Sequence, residues 1–314
     1  MRKLSILSIV VSVLSVSAMS SCNTTEIEQS AEDVQEVNFT LPELKCVEED
    51  GDNVVTKTTV NASNKIVWVA TDTVGIYPNT GSQIYFSLAS EAGSQSATFD
   101  GGGWAFKSTS TYYSYYPFIG DIYLDRTRIP VSFEGQAQQG ATSIEQIGGY
   151  TYLYTHGTQA ASGALSFEYQ YLTCVIRPKL TLNAGTYTKL ALTAPDNVFV
   201  SKGYFDLTSA TPAIVPEEMT NQMVVDLKGI TLASQTTFTV YLVSAPVNLA
   251  GVEITVSVLD DKKKEYQCKK TPSANYAPGT IAGLTCTSWT EVPQSMGLII
   301  TDWEDGGHIS GGAE

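Results

Sequence analysis

The chain has too few catalytic side chains in recognisable patterns to predict an enzyme. Its 314 residues include two histidines, His156 and His308, and the second lies in a glycine-rich stretch. The sequence has no G-x-S-x-G elbow, no H-E-x-x-H zinc motif and no glycine-rich phosphate loop. Two distant acidic residues could still meet in the fold as a glycosidase pair, but no motif points to them. We therefore expect neither catalytic residues nor a cofactor.

Basic residues are also scarce. The sequence has 18 Lys and Arg against 32 Asp and Glu, which gives a net charge of −14 at pH 7. A surface of this sign repels phosphate backbones, so nucleic acid is excluded as a partner. The same charge opposes self-association at long range, and any assembly must therefore depend on short-range contacts.

Long apolar runs are limited to one, close to the first residue. Two basic residues precede the run Leu4 to Ala18, which is too short and too rich in serine to span a membrane. Small residues then lead to Cys22, and together these features predict a secretory signal peptide over 1–21. The arrangement resembles a bacterial lipobox, which implies that Cys22 is lipidated and followed by a flexible tether over 22–33. Simple secretion with a free Cys22 thiol is the alternative.

The remaining cysteines do not have the spacing of a metal site. Four follow the tether: Cys46, Cys174, Cys268 and Cys286. They form no C-x-x-C pair, so we expect no metal. An exported protein can hold disulfides, and Cys268 and Cys286 could face each other across adjacent strands. Buried free thiols are the alternative and are expected for Cys46 and Cys174, although three connectivities remain open.

The residues that are abundant favour β-structure. Apolar residues make up 43% of the chain and charged residues 16%, with 25 Gly and 17 Tyr. Val37 to Leu41 and Val252 to Val258 alternate between apolar and polar residues, as half-buried strands do. Ser201 to Gly203 predicts a turn. Because no helical period is sustained and connections are short, we predict an all-β chain of antiparallel sandwiches.

Aromatic residues cluster in one stretch, Thr111 to Phe118, which reads TYYSYYPF. We expect a strand whose rings are half core and half outer face. The alternative is a platform on which sugars stack, and that platform would use Trp68, Trp104, Tyr112, Tyr113, Tyr115 and Tyr116.

A series of short motifs carries a family resemblance. They are W-x-x-x-D-x-x-G-I-Y at Trp68 to Tyr77, Tyr116-Pro117, Ile129-Pro130 followed by Gln136 or Gln139, Tyr150 to Tyr154, and FEYQYLTCVIR at Phe167 to Arg177. In this order they resemble the fimbrillin family, which comprises surface lipoproteins and type V pilin subunits of Gram-negative envelopes. The resemblance implies two tandem transthyretin-like β-sandwich domains, 34–164 and 165–291, with a C-terminal extension over 292–314. It also implies a place at the outer membrane, held by the lipid (palmitate) on Cys22.

The resemblance implies assembly by strand exchange. In assembling members a protease removes the first strand, which here would contain Val37, Phe39 and Leu41, and a neighbouring subunit's strand replaces it. The family's cut follows an arginine. In this chain Lys45 or Lys57 would have to serve instead, or cleavage does not occur and the protein is an anchor, tip or stand-alone lipoprotein rather than a stem subunit. The donor strand would come from the extension and contain Leu298, Ile299, Ile300 and Trp303. The expected partners are other fimbrial subunits and a host or bacterial surface protein or glycan.

A different class of function is also open at this point. The aromatic residues would suit a glycan-binding surface lipoprotein of an outer-membrane sugar-uptake system. A fimbrial subunit, by contrast, needs no sugar-binding face. The position of the rings in the fold distinguishes the two.

Overall fold

Alternating apolar and polar residues form a chain built almost entirely from β-strands. The computed structural model describes residues 36–47, 66–104, 106, 111–121, 123–141, 143, 146–159 and 164–293. Within these ranges the regular structure is all strand except for one five-residue helix. The all-β prediction is confirmed.

The first half forms an eight-stranded sheet whose two ends meet. The elements of the first half, of which all but β2, β7 and α1 belong to this sheet, are β1 Glu36–Thr40, β2 Lys45–Val47, β3 Thr73–Pro78, β4 Ile84–Ser90, β5 Ser96–Asp100, β6 Thr111–Tyr116, β7 Ile129–Ser132, α1 Gln146–Tyr150, β8 Leu153–Gln159, β9 Ala164–Glu168 and β10 Gln170–Tyr171. The strand order is β10-β8-β6-β3-β4-β5-β1-β9. Only Tyr169 separates β9 from β10, so one segment pairs first with β1 and then with β8.

In the second half two five-stranded sheets pack against each other and share one apolar core. Its strands are β11 Cys174–Leu182, β12 Gly185–Thr193, β13 Phe199–Phe205, β14 Val215–Thr220, β15 Gln222–Leu232, β16 Thr236–Thr239, β17 Leu242–Ser244, β18 Val247–Asn248, β19 Ile254–Asp260, β20 Glu265–Lys270, β21 Asn275–Tyr276, β22 Thr280–Cys286 and β23 Thr290–Val292. One sheet runs β16-β11-β22-β2, with β17 also on β11, and the other β15-β12-β19-β20-β23. Ile176 from the first sheet and Leu190 and Val256 from the second share the largest apolar cluster. This is the face-to-face packing of a β-sandwich.

A further apolar cluster connects the two halves. Tyr77 and Tyr115, on the sheet of the first half, pack with Val200 and Phe205 of β13. The small sheet β14-β13-β7 crosses the same junction, because β7 of the first half pairs with β13. The described residues accordingly belong to one compact unit.

Two features differ from the sequence predictions. Ser201 to Gly203 lies inside β13 and is not a turn; the glycine is needed because a side chain there would collide with the Val215 carbonyl of β14. In addition, β1 runs parallel to β9, and β22 runs parallel to both β11 and β2. These partners are far apart in the sequence, so short connections do not determine their direction.

The predicted boundary between residues 164 and 165 falls within β9. Leu165 lies opposite Val37 in the first sheet. Strand pairing therefore places β9 and β10 with the sheet of the first half, and the domain boundary stays a prediction.

Candidate strand-exchange site

The predicted first strand lies inside the eight-stranded sheet, with a partner on each side. β1 pairs antiparallel with β5, where Val37 lies opposite Phe99, and parallel with β9, where Phe39 lies opposite Phe167. Loss of β1 would leave two unpaired strand edges on either side of a gap one strand wide.

Alternation gives the two faces of this segment different surroundings. Its apolar side chains are buried in one cluster: Val37, Phe39 and Leu41. On the opposite face Asn38 Oδ1 accepts a hydrogen bond from Thr98 Oγ1 at 3.2 Å. Thr40 Oγ1 lies 3.1 Å from Ser96 Oγ. The strand is therefore held by apolar contacts beneath and by small polar side chains above.

Phe39 lies in an aromatic cage supplied by other elements. Its ring centroid is 4.8 Å from that of Phe99 and 5.0 Å from that of Phe167, which is stacked on it. The Tyr169 ring stacks at 5.7 Å. The Trp68 indole N–H donates a hydrogen bond to the Phe39 carbonyl at 3.2 Å. Edge and offset ring contacts of this kind add to the stabilisation from apolar burial.

Tyr169 lies beside this cage and connects β9 to β10, the strands at the two ends of the sheet. Its backbone N–H donates to the Thr40 carbonyl at 3.1 Å, and its hydroxyl lies 2.6 Å from Ser114 Oγ. Ser114 in turn donates to the Gly75 carbonyl at 2.9 Å. Burial raises the pKa of Tyr169 above its ordinary value, so the hydroxyl stays neutral. The residue at which the segment changes partner is thus fixed by buried hydrogen bonds.

Lys45, one of the two predicted processing positions, lies in a strand. Its side chain is exposed, but its backbone N–H donates to the Gly279 carbonyl at 2.8 Å and the residue pairs with Thr280. A protease needs the main chain free of its ladder, so this pairing disfavours cleavage there.

Several predicted residues lie outside the described ranges. These are Cys22 with its tether, Lys57, and the donor residues Leu298, Ile299, Ile300 and Trp303. Their predicted roles remain predictions.

The aromatic residues of the alternative sugar-stacking platform do not form an exposed face. Trp68, Tyr112, Tyr115 and Tyr116 are buried, and Tyr113 is partly buried. Their rings fill the cores on the two faces of the first sheet. Trp104 remains exposed. The aromatic content of this stretch therefore does not favour the glycan-binding alternative.

The thiols also differ from prediction. Cys268 and Cys286 are both buried, and they belong to β20 and β22, which lie in different sheets and are not adjacent strands. Cys174 is buried, as expected, whereas Cys46 is exposed because β2 forms the edge of its sheet.

The described ranges contain neither a grouped metal-ligand set nor a helix that could span a membrane. No three His, Cys, Asp or Glu residues there are grouped so that they could hold a metal ion. The one helix in these ranges, α1, is too short to cross a membrane. His156 is exposed at the edge of the Tyr154 ring, 5.4 Å between centroids.

Comparison with solved structures identifies the fold. A candidate cell adhesion protein from Bacteroides ovatus is 13% identical, and the match covers 82% of this chain and 95% of that one with a TM-score of 0.52. The chain shares the fold of that protein. No protein-family model and no curated protein sequence matches it.

Two further matches are more distant. A fimbrial protein from B. ovatus is 11% identical over 81% of this chain and 48% of that one, with a TM-score of 0.39. The fimbrial anchor protein Mfa2 from Porphyromonas gingivalis is 11% identical over 80% and 90%, with a TM-score of 0.33. Such scores are too low to add to the assignment of the fold.

The sequence motif missed one of the two buried glutamines in the segment after β7. The sequence motif indicates Gln136 or Gln139, but Gln136 and Gln138 are the buried pair and Gln139 is exposed. The sequence did contain a signal for this pair. Gln136 and Gln138 are two positions apart, and alternate residues of an extended chain point to the same side.

Proposed function

We propose that the protein is a surface fimbrial subunit of accessory type, which joins neighbours by strand exchange and serves adhesion. The observation that carries this proposal is the position of β1. It is the first strand of the described chain, it lies between β5 and β9, and its apolar side chains fill a cage built by other strands.

The energetics of the site favour replacement of the strand over an empty groove. Uncovering Val37, Phe39 and Leu41 costs on the order of 5–9 kcal/mol at about 1.5–3 kcal/mol each. A whole domain is stable by only about 5–15 kcal/mol. A groove emptied by proteolysis must therefore be refilled, and an extended strand from a neighbour supplies both ladder hydrogen bonds and alternating side chains.

Lys57 is the processing position that we propose. It follows β2, so a cut there would free β1 and β2 together, whereas Lys45 is paired within the ladder of β2 and β22. Before processing, the lipid on Cys22 would hold the subunit at the outer membrane. The segment containing Leu298, Ile299, Ile300 and Trp303 would in turn serve as donor strand to another subunit.

Limited proteolysis of the folded, unlipidated chain tests this proposal. A lysine-specific protease at low dose should cut after Lys57, and the fragment carrying β1 should leave when an excess of synthetic peptide 35–43 is added. Lys57→Gln should abolish the cut, while the matched Lys45→Gln should not. A fragment that stays bound at every peptide concentration would show that β1 is a permanent core strand.

A further inference from the structure

The cage around Phe39 would survive the departure of β1. Phe99 belongs to β5, Phe167 to β9, and Trp68 and Tyr169 to the segments beside them. Phe39 is the one ring that β1 contributes, and it contacts three of these four rings. An emptied groove would thus keep a slot lined by aromatic rings at its centre.

The strands on either side also set the direction of any replacement. It must run parallel to β9 and antiparallel to β5 to reproduce both ladders. At the position of Asn38 it would meet Thr98 and Ser166, and at the position of Thr40 it would meet the exposed Glu168. Small polar or basic residues suit these outward positions, because cross-strand pairs of opposite charge are favourable.

The chain's own predicted donor segment matches this slot poorly. A replacement strand needs apolar residues at three alternate positions, in place of Val37, Phe39 and Leu41. Within 295–303 only one register provides them, and it uses Met296, Leu298 and Ile300. That register places Leu298 in the aromatic slot. Shifting the segment to place Trp303 there brings Asp305 to the buried position of Leu41, and burying an unpaired carboxylate is costly.

We propose that this groove selects a strand with an aromatic side chain at the Phe39 position, flanked two residues away on both sides by aliphatic residues, and that this strand comes from a different protein. The inference rests on the proposed strand exchange. It makes the subunit a connector between unlike partners, because its acceptor groove and its own donor segment do not fit each other.

Peptide displacement on the Lys57-cleaved protein tests the selectivity. Peptide 35–43 should bind at least about tenfold more tightly than its Phe39→Leu form, because the leucine loses the ring contacts. Peptide 294–304 should bind no better than the leucine form. A Thr40→Ser peptide, changed at the exposed outward face of the same strand, serves as the matched control and should change the affinity less than about threefold. Fluorescence polarisation of labelled peptides measures all four.

The outcomes separate this inference from the proposed function. Equal binding of peptide 35–43 and its Phe39→Leu form, or ladders formed by the cleaved protein alone, would overturn the aromatic selectivity or the unlike partner while leaving strand exchange intact. If no peptide displaces the fragment, strand exchange itself fails and the partner falls with it. The intact chain gives an independent reading: Phe39→Leu should lower the unfolding midpoint more than Thr40→Ser, and equal midpoints would overturn the aromatic slot.

Discussion

At the scale of single residues, burial separates thiols that look alike in the sequence. Cys174 lies in the core, with its Sγ 3.5 Å from the carbonyls of Ser244 and Ala245. Burial raises the pKa of the Cys174 thiol from 9.0 to about 12. Cys46 is exposed on the edge strand β2.

This difference predicts the order of alkylation. Iodoacetamide at about pH 8 should modify Cys46 in the folded protein and leave Cys174 intact, because only a thiolate that solvent can reach reacts quickly. The stabilisation linked to the protonated Cys174 should be fully present below pH 9 and decline as the pH rises toward 12.

Mass spectrometry of the alkylated peptides measures this order. The urea-unfolded protein is the control, and there both cysteines should react. Rapid modification of Cys174 in the native state at about pH 8 would contradict the buried position.

At the scale of elements, the segment after β7 ties together strands that are distant in sequence. Gln136 donates from its side-chain amide to the Val243 carbonyl and accepts from the Val243 N–H, both at 2.8 Å. Gln138 donates to the Thr239 carbonyl at 2.9 Å and accepts from the Tyr241 N–H at 3.1 Å. These amides form a ladder of side-chain hydrogen bonds that runs from the last residue of β16 to the middle of β17.

The backbone of the same segment covers the edge of β15. The Asp226 N–H donates to the Gln136 carbonyl at 2.9 Å, and the Gln138 N–H donates to the Asp226 carbonyl at 2.7 Å. One short segment therefore satisfies polar groups of both sheets of the second half, although it belongs to the first.

Replacing either glutamine should destabilise the fold. Gln136→Ala and Gln138→Ala should each cost about 2–4 kcal/mol, because each leaves a buried N–H and a buried carbonyl without a partner. Gln139→Ala, in the same segment but exposed, should stay within about 0.5 kcal/mol of the parent. Urea unfolding midpoints measure the three; a Gln136→Ala protein as stable as Gln139→Ala would mean that these side-chain bonds contribute nothing net.

At the scale of the whole molecule, the shared cluster should make the two halves unfold together. Phe205 lies in this cluster, with its ring 6.3 Å from that of Tyr115 in the first sheet. Phe199, on the same strand β13, packs instead in the core of the second half. One strand thus contributes to both cores.

Phe205→Ala should therefore lower the free energy of unfolding by about 3–5 kcal/mol and keep a single transition. Hydrogen exchange should accelerate in β3 of the first half and in β12 of the second to a similar extent. Met219→Ala, at an exposed position of β14, is the control and should have little effect. Two separate calorimetric transitions would contradict the coupling and support two independent domains.

Local chemistry by itself determined which segments are strands. Val37 and Phe39 alternate with polar residues, and so do Ile254 to Val258, and both segments became strands because a period of two exposes one apolar face whatever lies opposite. The same reasoning predicted that rings of the tyrosine-rich strand would enter the core. The charged residues Asp261 to Lys264 also connect β19 to β20, because consecutive charged side chains favour a solvated turn.

The tertiary structure alone decided what each strand pairs with. Val37 meets Leu165, Cys46 meets Ile281, and Gln136 meets Val243, all separated by more of the chain than any periodic pattern covers. An alternating sequence specifies a buried face but not the strand on its flank, because any extended neighbour can complete a ladder of backbone hydrogen bonds. That same lack of specificity is what allows one strand to replace another, and only the side chains beneath β1 restrict the choice.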